Sequence, residues 1–350
     1  MMQSYNILCT FAVPEMLNHM RTLKFLLPSV LGLTLLIACN KELKVNADWK
    51  DITVVYGLLD QNEDTTFIKI TKAFLGPGDA LQFAKIPDSS NYPDKLDVRI
   101  EEWNGTTLKN SYACDTVTIH NKKAGDSIFY FPDQLMYYTL APLNENYQYK
   151  LRILNKKTGK EITSQTSLVH NFQIEKPLPF IEMNFQPGLN NQVQWITAVG
   201  GSRYQMDIRF HYREALIADT SQKVEKYIDW IVFNNVKPIN NLGGQTISNY
   251  YPGDGFYNIA GSKIPVNPYV KRTALFVDVI LSVASDDLNT YMEVTEPSYT
   301  IVQERPTFTN ITNGIGLFAS RFNNVIDSLR LYPYTIAQLK VNDKTKDLGF

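Results

Sequence analysis

Between Tyr204 and Arg213 apolar and polar side chains alternate without a break. Tyr204, Met206, Ile208, Phe210 and Tyr212 take one side; Gln205, Asp207, Arg209, His211 and Arg213 take the other. A period of two fits a pleated strand with one buried and one wet face, and no helix. The period recurs. Leu96, Val98 and Ile100 alternate with Asp97, Arg99 and Glu101, and Asn104-Gly105 supplies the positive φ of a tight hairpin turn. Tyr147, Tyr149, Leu151 and Ile153 alternate with Gln148, Lys150 and Arg152 before the turn Lys157-Thr158-Gly159-Lys160. Leu275, Val277, Val279, Leu281 and Val283 form a strand apolar enough to lie at the centre of a sheet.

This patterning predicts a mostly β protein of two immunoglobulin/fibronectin-like β-sandwich units. Leu143 and Tyr147 are placed like the tyrosine corner of such sandwiches. Glu175-Lys176-Pro177-Leu178-Pro179, with two prolines around one residue, favours an extended connection and marks the boundary between the units. The expected division is a first sandwich over residues 49–174, a second over 180–321 and an extension over 322–350. One or two short helices are expected near the C-terminus. Ser285 and Asp286 can cap the first, with Leu288, Tyr291, Met292 and Thr295 at helical spacing before Pro297; the second covers Thr335 to Lys340.

The first forty residues read as an export signal. Met20 to Lys24 is a short basic stretch, Phe25 to Ala38 is apolar, and Leu36-Ile37-Ala38-Cys39 closes it. The apolar run is shorter than the ~20 residues of a spanning helix. Small residues before a cysteine resemble the lipobox of bacterial lipoproteins, so residues 1–38 are expected to be removed and Cys39 to carry lipid, followed by a polar tether over 39–48. Glu15 and Pro14 suit a leader poorly, which places the expected translation start at Met20, or at Met16. Cys9 leaves with the leader and Cys39 is acylated, so Cys114 has no partner for a disulfide. Stability has to come from apolar cores, and the length suffices for about two domains.

Charge and motifs narrow the chemistry. Lys and Arg number 34 against 35 Asp and Glu, which is no footprint for nucleic acid. His120, His170 and His211 stand alone, without the spacing that holds zinc or iron, so no cofactor or metal is expected. His211 reads as one member of a solvated sheet face. Asp60, Asn62 and Asp64 imitate the start of a calcium loop, but Thr65 and Thr71 stand where it needs a glycine and a bidentate acid. That stretch reads as a polar hairpin. No nucleophile elbow or phosphate loop is present; a hydrolase would need carboxylates clustered in a cleft. The candidate ligand-binding residues are Asn249, Tyr250, Tyr251, Asp254, Phe256 and Tyr257, four aromatics around a Pro-Gly-Asp-Gly turn. They offer either flat faces for a glycan, with Asn249 and Asp254 for its hydroxyls, or a loop folded back over the sandwich.

Several stretches carry a family resemblance. Thr53-Val54-Val55-Tyr56-Gly57-Leu58-Leu59 and Ile68 to Gly76 near the start, and Glu304-Arg305-Pro306 with Thr309 to Phe318 near the end, resemble an uncharacterised outer-membrane lipoprotein family of Bacteroidota. The resemblance spans nearly all of the chain after the leader. It brings structural glycines and strand apolars but no catalytic residue. It implies a lipid-anchored protein of the outer membrane, held there through Cys39 and often accompanying TonB-dependent transport barrels. Asn40 after the acylated cysteine agrees with outer-membrane sorting. The expected function is that of a non-enzymatic binding or accessory subunit. The alternative is a cell-surface glycan-binding or adhesion protein using residues 249–257. The Asn313-Gly314-Ile315-Gly316 stretch reads as a turn into a closing strand.

Overall fold

The computed structural model describes residues 52–73, 86, 90–120, 133–296 and 307–350. The leader, Cys39 and the tether 39–48 lie outside the described residues. Those described belong to one unit, which is mostly β and holds two apolar cores.

The first core sits between two sheets. Strands β1 (Ile52–Leu59), β2 (Thr66–Ala73), β6 (Gln134–Thr139) and β5 (Asp115–Ile119) face β3 (Asp97–Asn104), β4 (Thr107–Ala113), β7 (Gln148–Leu154) and β8 (Glu161–Ser167). The alternation read from the sequence sets the faces: Leu96, Val98, Ile100, Tyr149, Leu151 and Ile153 all point into this core. Gly105 takes φ 57° as the first residue of the two-residue β3–β4 loop. The corner tyrosine differs from expectation. The hydroxyl that reaches back is that of Tyr149, not Tyr147: it accepts the Asn144 N–H at 2.7 Å and donates to the buried Glu102 carboxylate at 2.9 Å. Tyr147 packs only at the margin of the core. Cys114 is free and buried, and burial pushes its thiol pKa up to about 12, which makes it an unreactive core residue.

The second core lies under β11 (Arg203–Leu216), β12 (Lys223–Val236) and β14 (Val270–Ala284). A small sheet of β9 (Ile174–Lys176), β10 (Asn190–Ile196) and β13 (Thr246–Pro252) covers them, with helices α1 (Asp254–Lys263) and α3 (Pro333–Val341). Tyr204, Met206, Ile208, Phe210 and Tyr212 of β11 are all buried here. On β14, Val277, Val279, Leu281 and Val283 follow the expected face, while Leu275 leaves it because the register shifts by one residue opposite His211/Tyr212. The expected helix after β14 is α2 (Asp286–Thr295), with Ser285 at its N-cap. The Ser285 hydroxyl does not cap the helix; it accepts the Ser320 N–H at 3.3 Å.

One strand joins both sandwiches. β15 (Gly314–Arg330) runs parallel to β1 as far as Ser320 and then antiparallel to β14 from Arg321 onward, so eight strands form one continuous sheet. Phe318 belongs to the first core; Phe322, Ile326 and Leu329 belong to the second. The chain changes core between Leu168 and Val169, a few residues before the proline-rich stretch at 175–179. Ser320 sits at that crossing, its hydroxyl donating to the Ser167 carbonyl at 2.7 Å and accepting the Val169 N–H at 3.1 Å. Residues 322–350, expected to be an extension, close the second core through Phe322, Leu331, Leu339 and Leu348.

Candidate functional site

The aromatic stretch at 249–257 is a strand running into a helix. Tyr251 is the penultimate residue of β13, and Phe256 and Tyr257 lie in the first turn of α1. All three are core side chains: Phe256 stacks on Phe185 at 4.4 Å, and Tyr251 meets Trp230 edge-on. Gly255 is a close-packing residue, since a Cβ there would strike the Trp230 ring. Tyr250 alone among the four aromatics stays on the surface, 62% exposed. Asp254 accepts the Gly188 N–H at 2.7 Å and Asn249 accepts the Tyr250 N–H at 2.8 Å, so both polar candidates hold backbone. The structure does not bring these six residues together as one binding face. Helical spacing of Phe256, Ala260 and Ile264 is the signal that distinguishes this helix from a loop.

A large groove lies elsewhere. A groove of about 1550 Å3 follows the second half of β15. On one side is the hairpin loop between β1 and β2; on another is the chain from Asn171 to Phe180, whose Phe172 carbonyl accepts the Asn324 side-chain amide at 2.5 Å and which leads to the bridge between Met183 and Leu331. Asp207 and Arg209 of β11 and Asp229 of β12 extend the lining across the wet face of the sheet. Phe180, between two half-exposed apolar residues, stands at the rim with 97% of its surface open.

The hairpin loop carries the Asp60–Asn62–Asp64 stretch, and the structure turns it toward β15. Asp60 is 3% exposed; it accepts the Asn62 N–H at 3.1 Å and the Asn323 side-chain amide at 3.0 Å. Arg321 lies 3.5 Å away. Burial raises the Asp60 pKa, against the opposing pull of the Asn62 N–H and the Arg321 charge. Asn62 itself donates to the Asn323 carbonyl at 2.9 Å. The loop is therefore the polar hairpin expected, with Asp60 and Asn62 spent on the neighbouring strand.

On the sheet face, Arg209 holds Asp229 with two bonds of 2.7 and 3.2 Å. Asp207 takes the Gln205 amide at 2.8 Å. Burial raises the Asp207 pKa above the ordinary carboxylate value; Gln205 opposes this, and the charge of Asp229 reinforces it. His211 reaches Asp278 at 2.8 Å and stacks on Phe276 at 4.4 Å, so it is tied into the sheet face. Among the described residues no three His, Cys, Asp or Glu gather as metal ligands, and no helix is long and apolar enough to cross a membrane.

The geometry of β15 gives the groove its character. Backbone groups of a strand point alternately to either neighbour. Phe318 and Ser320 turn theirs toward the β14 side: the Asn310 side chain clamps both groups of Phe318 at 3.0 and 2.7 Å, and the Ser285 N–H donates to the Ser320 carbonyl at 3.0 Å. Arg321, Asn323 and Val325 consequently turn theirs to the other side, where β1 has already ended. Among the described residues no strand pairs there. Among the described residues the Asn62 amide on the Asn323 carbonyl is the single bond to a backbone group of this edge before Arg330, whose carbonyl takes the Met183 N–H. The sequence signals for such a site are weak, because its residues come from six separated stretches.

Comparison with family models finds no match, and comparison with curated proteins finds none. The family resemblance thus rests on the sequence motifs alone.

Proposed function

We propose that this chain is a lipid-anchored outer-membrane protein, attached through Cys39, that works by binding, as an accessory subunit beside a TonB-dependent barrel. The observation that supports binding is the groove along β15. It exceeds the ~300–1,000 Å3 of a small-molecule pocket, is open along its length and is lined mainly by polar groups. A shape of that kind suits a long ligand held at many points. The anchor and the barrel rest on the lipobox at Cys39 and on the strand and glycine motifs at both ends of the chain.

Crosslinking in intact cells, followed by capture of the tagged protein and mass spectrometry, tests this role. One barrel should be recovered in stoichiometric amount and lost when Cys39 is replaced by alanine. Recovery without any barrel would contradict the accessory role.

A second reading has its own observation. Asp207, with its pKa raised, and Asp229, held by Arg209, lie diagonally across β11 and β12 in the same groove. Two carboxylates in one cleft are what hydrolysis of a glycosidic bond employs. Turnover of chromogenic glycosides, abolished by Asp207→Asn, would favour a hydrolase over a binding subunit. The surface-glycan alternative keeps Tyr250 as its exposed aromatic, and unchanged glycan retention by Tyr250→Ala would remove it.

A further inference from the structure

We infer that the open edge of β15 between Arg321 and Asp327 receives an extended segment of a partner polypeptide as an added strand, and that this segment is basic. The inference deepens the binding role proposed above and rests on it.

The backbone makes the first part of the case. The N–H and C=O groups of Arg321, Asn323 and Val325 face the groove, and Val325 is 48% exposed. An unpaired edge is a ready template for another chain, and proteins that do not use one blunt it with proline, lysine or a covering loop. Here the stretch Arg321 to Ile326 contains no proline and no lysine. The neighbouring chain at 171–183 touches β15 through the Asn324 side chain, at the Phe172 carbonyl, and through the Met183 N–H at Arg330; among the described residues it makes no bond to the backbone groups of Arg321, Asn323 or Val325. A bulge at Asp327–Ser328, with Ser328 at φ 55°, ends the regular edge. The open run therefore has a defined length, with the Asn62 contact near one end and the bulge at the other.

Charge identifies the guest. Five carboxylates line the groove against two guanidinium groups. Arg209 is engaged by Asp229 and Arg321 by Asp60. Glu63, Asp207 and Asp327 have no cation within ion-pair distance among the described residues. Glu63 follows Asn62 at one end of the edge and Asp327 stands at the other. Asn323 and Asp327 are four residues apart, about 13 Å along a strand. A guest strand with two lysine or arginine side chains four residues apart, and so on one face, can meet both carboxylates while its backbone pairs with β15. Phe180 at the rim offers an apolar face to the guest's intervening residues.

The test uses the full chain and a fluorescent, capped octapeptide of threonine and valine carrying two lysines four residues apart, followed by anisotropy at low salt. Saturable binding is expected. Replacing both lysines by glutamate should weaken it at least tenfold. Methylating alternate backbone nitrogens, which removes the ladder donors and leaves the side chains, should weaken it by roughly tenfold, as expected for losing one or two hydrogen bonds. The double variant Glu63→Gln/Asp327→Asn, both exposed and isosteric, should keep its melting temperature and lose several-fold in affinity and most of the salt dependence. Absence of saturable binding, or equal affinity for the methylated peptide, would overturn strand addition. Equal affinity for the glutamate peptide would overturn the basic guest. So would a neutral oligosaccharide held in the groove and released by Phe180→Ala. Failure here with a barrel still captured from cells would leave the accessory role standing; a bound peptide with no barrel captured would do the reverse.

Discussion

The two halves of β15 are made of one strand and are treated oppositely. Up to Ser320 the strand is flanked by β1, and at Phe318 and Ser320 both edges are occupied. β1 lies on one side from Gly314 to Ser320, while the Asn310 amide and Ser285 take the backbone groups of Phe318 and Ser320 on the other. From Arg321 onward β14 takes one edge and the other faces a groove, where among the described residues Asn62 alone bonds to its backbone groups until Arg330. The sealed half holds two sandwiches together, and its defects are expensive. The open half retains unpaired backbone groups, which cost nothing while water reaches them and are available to a ligand.

Substitutions should separate the halves in order of size. The largest effect belongs to Gly316→Val. Gly316 has φ 118° and sits where a Cβ would run into the Val55 carbonyl, so side chain and backbone conformation are both excluded. A loss of about 3 kcal/mol or more is expected in a urea titration. Next is Asn310→Ala, which frees the N–H and C=O of Phe318 at the buried edge; about 2 kcal/mol should be lost by the same measurement. The equivalent change in the open half, Asn62→Ala, removes one contact to a solvated carbonyl and should cost less than about 1 kcal/mol. Comparable losses for Asn310→Ala and Asn62→Ala would break the comparison.

The smallest effect sharpens it through pH. A carboxylate whose folded pKa lies above its unfolded value destabilises the fold when ionised, and that penalty is relieved as pH falls through the folded pKa. Asp207 is such a group. Asp207→Asn should therefore be slightly more stable than the parent at pH 7, by less than about 1 kcal/mol, and the gain should vanish below the ordinary carboxylate range near pH 3–4. Melting temperatures of both proteins across pH 3 to 7 check the sign.

Much of the fold was legible in the sequence because burial there follows a period of two. Tyr204 to Tyr212 and Val98 to Ile100 needed no tertiary information to be assigned to faces, and Gly105 announced its own turn. Helix α1 was missed because a Pro-Gly-Asp-Gly run reads as a loop, although Gly253 and Gly255 are there to let the chain approach Gln186 and Trp230. The tyrosine corner was placed two residues early because Tyr147 and Tyr149 share one side of the strand, and only packing decides which hydroxyl reaches Asn144. The groove was out of reach for a different reason. It arises where β1 stops short of the end of β15, and that depends on the register of two strands more than 250 residues apart. Asp60 and Asn62 drew notice as an imperfect calcium loop, yet their partners, Arg321 and Asn323, could not be inferred from spacing.

Residue-resolved amide exchange along β15 in the free protein is the most direct measurement of whether this strand is closed at one half and open at the other. Phe318, Ser320, Phe322 and Asn324 should be strongly protected, and the N–H groups of Arg321, Asn323 and Val325 should exchange much faster than those of Phe322 and Asn324 between them, slowing when the basic peptide is added. Uniform protection from Gly314 to Ile326 would mean that the edge is already filled, and the groove would not be a place for an added strand.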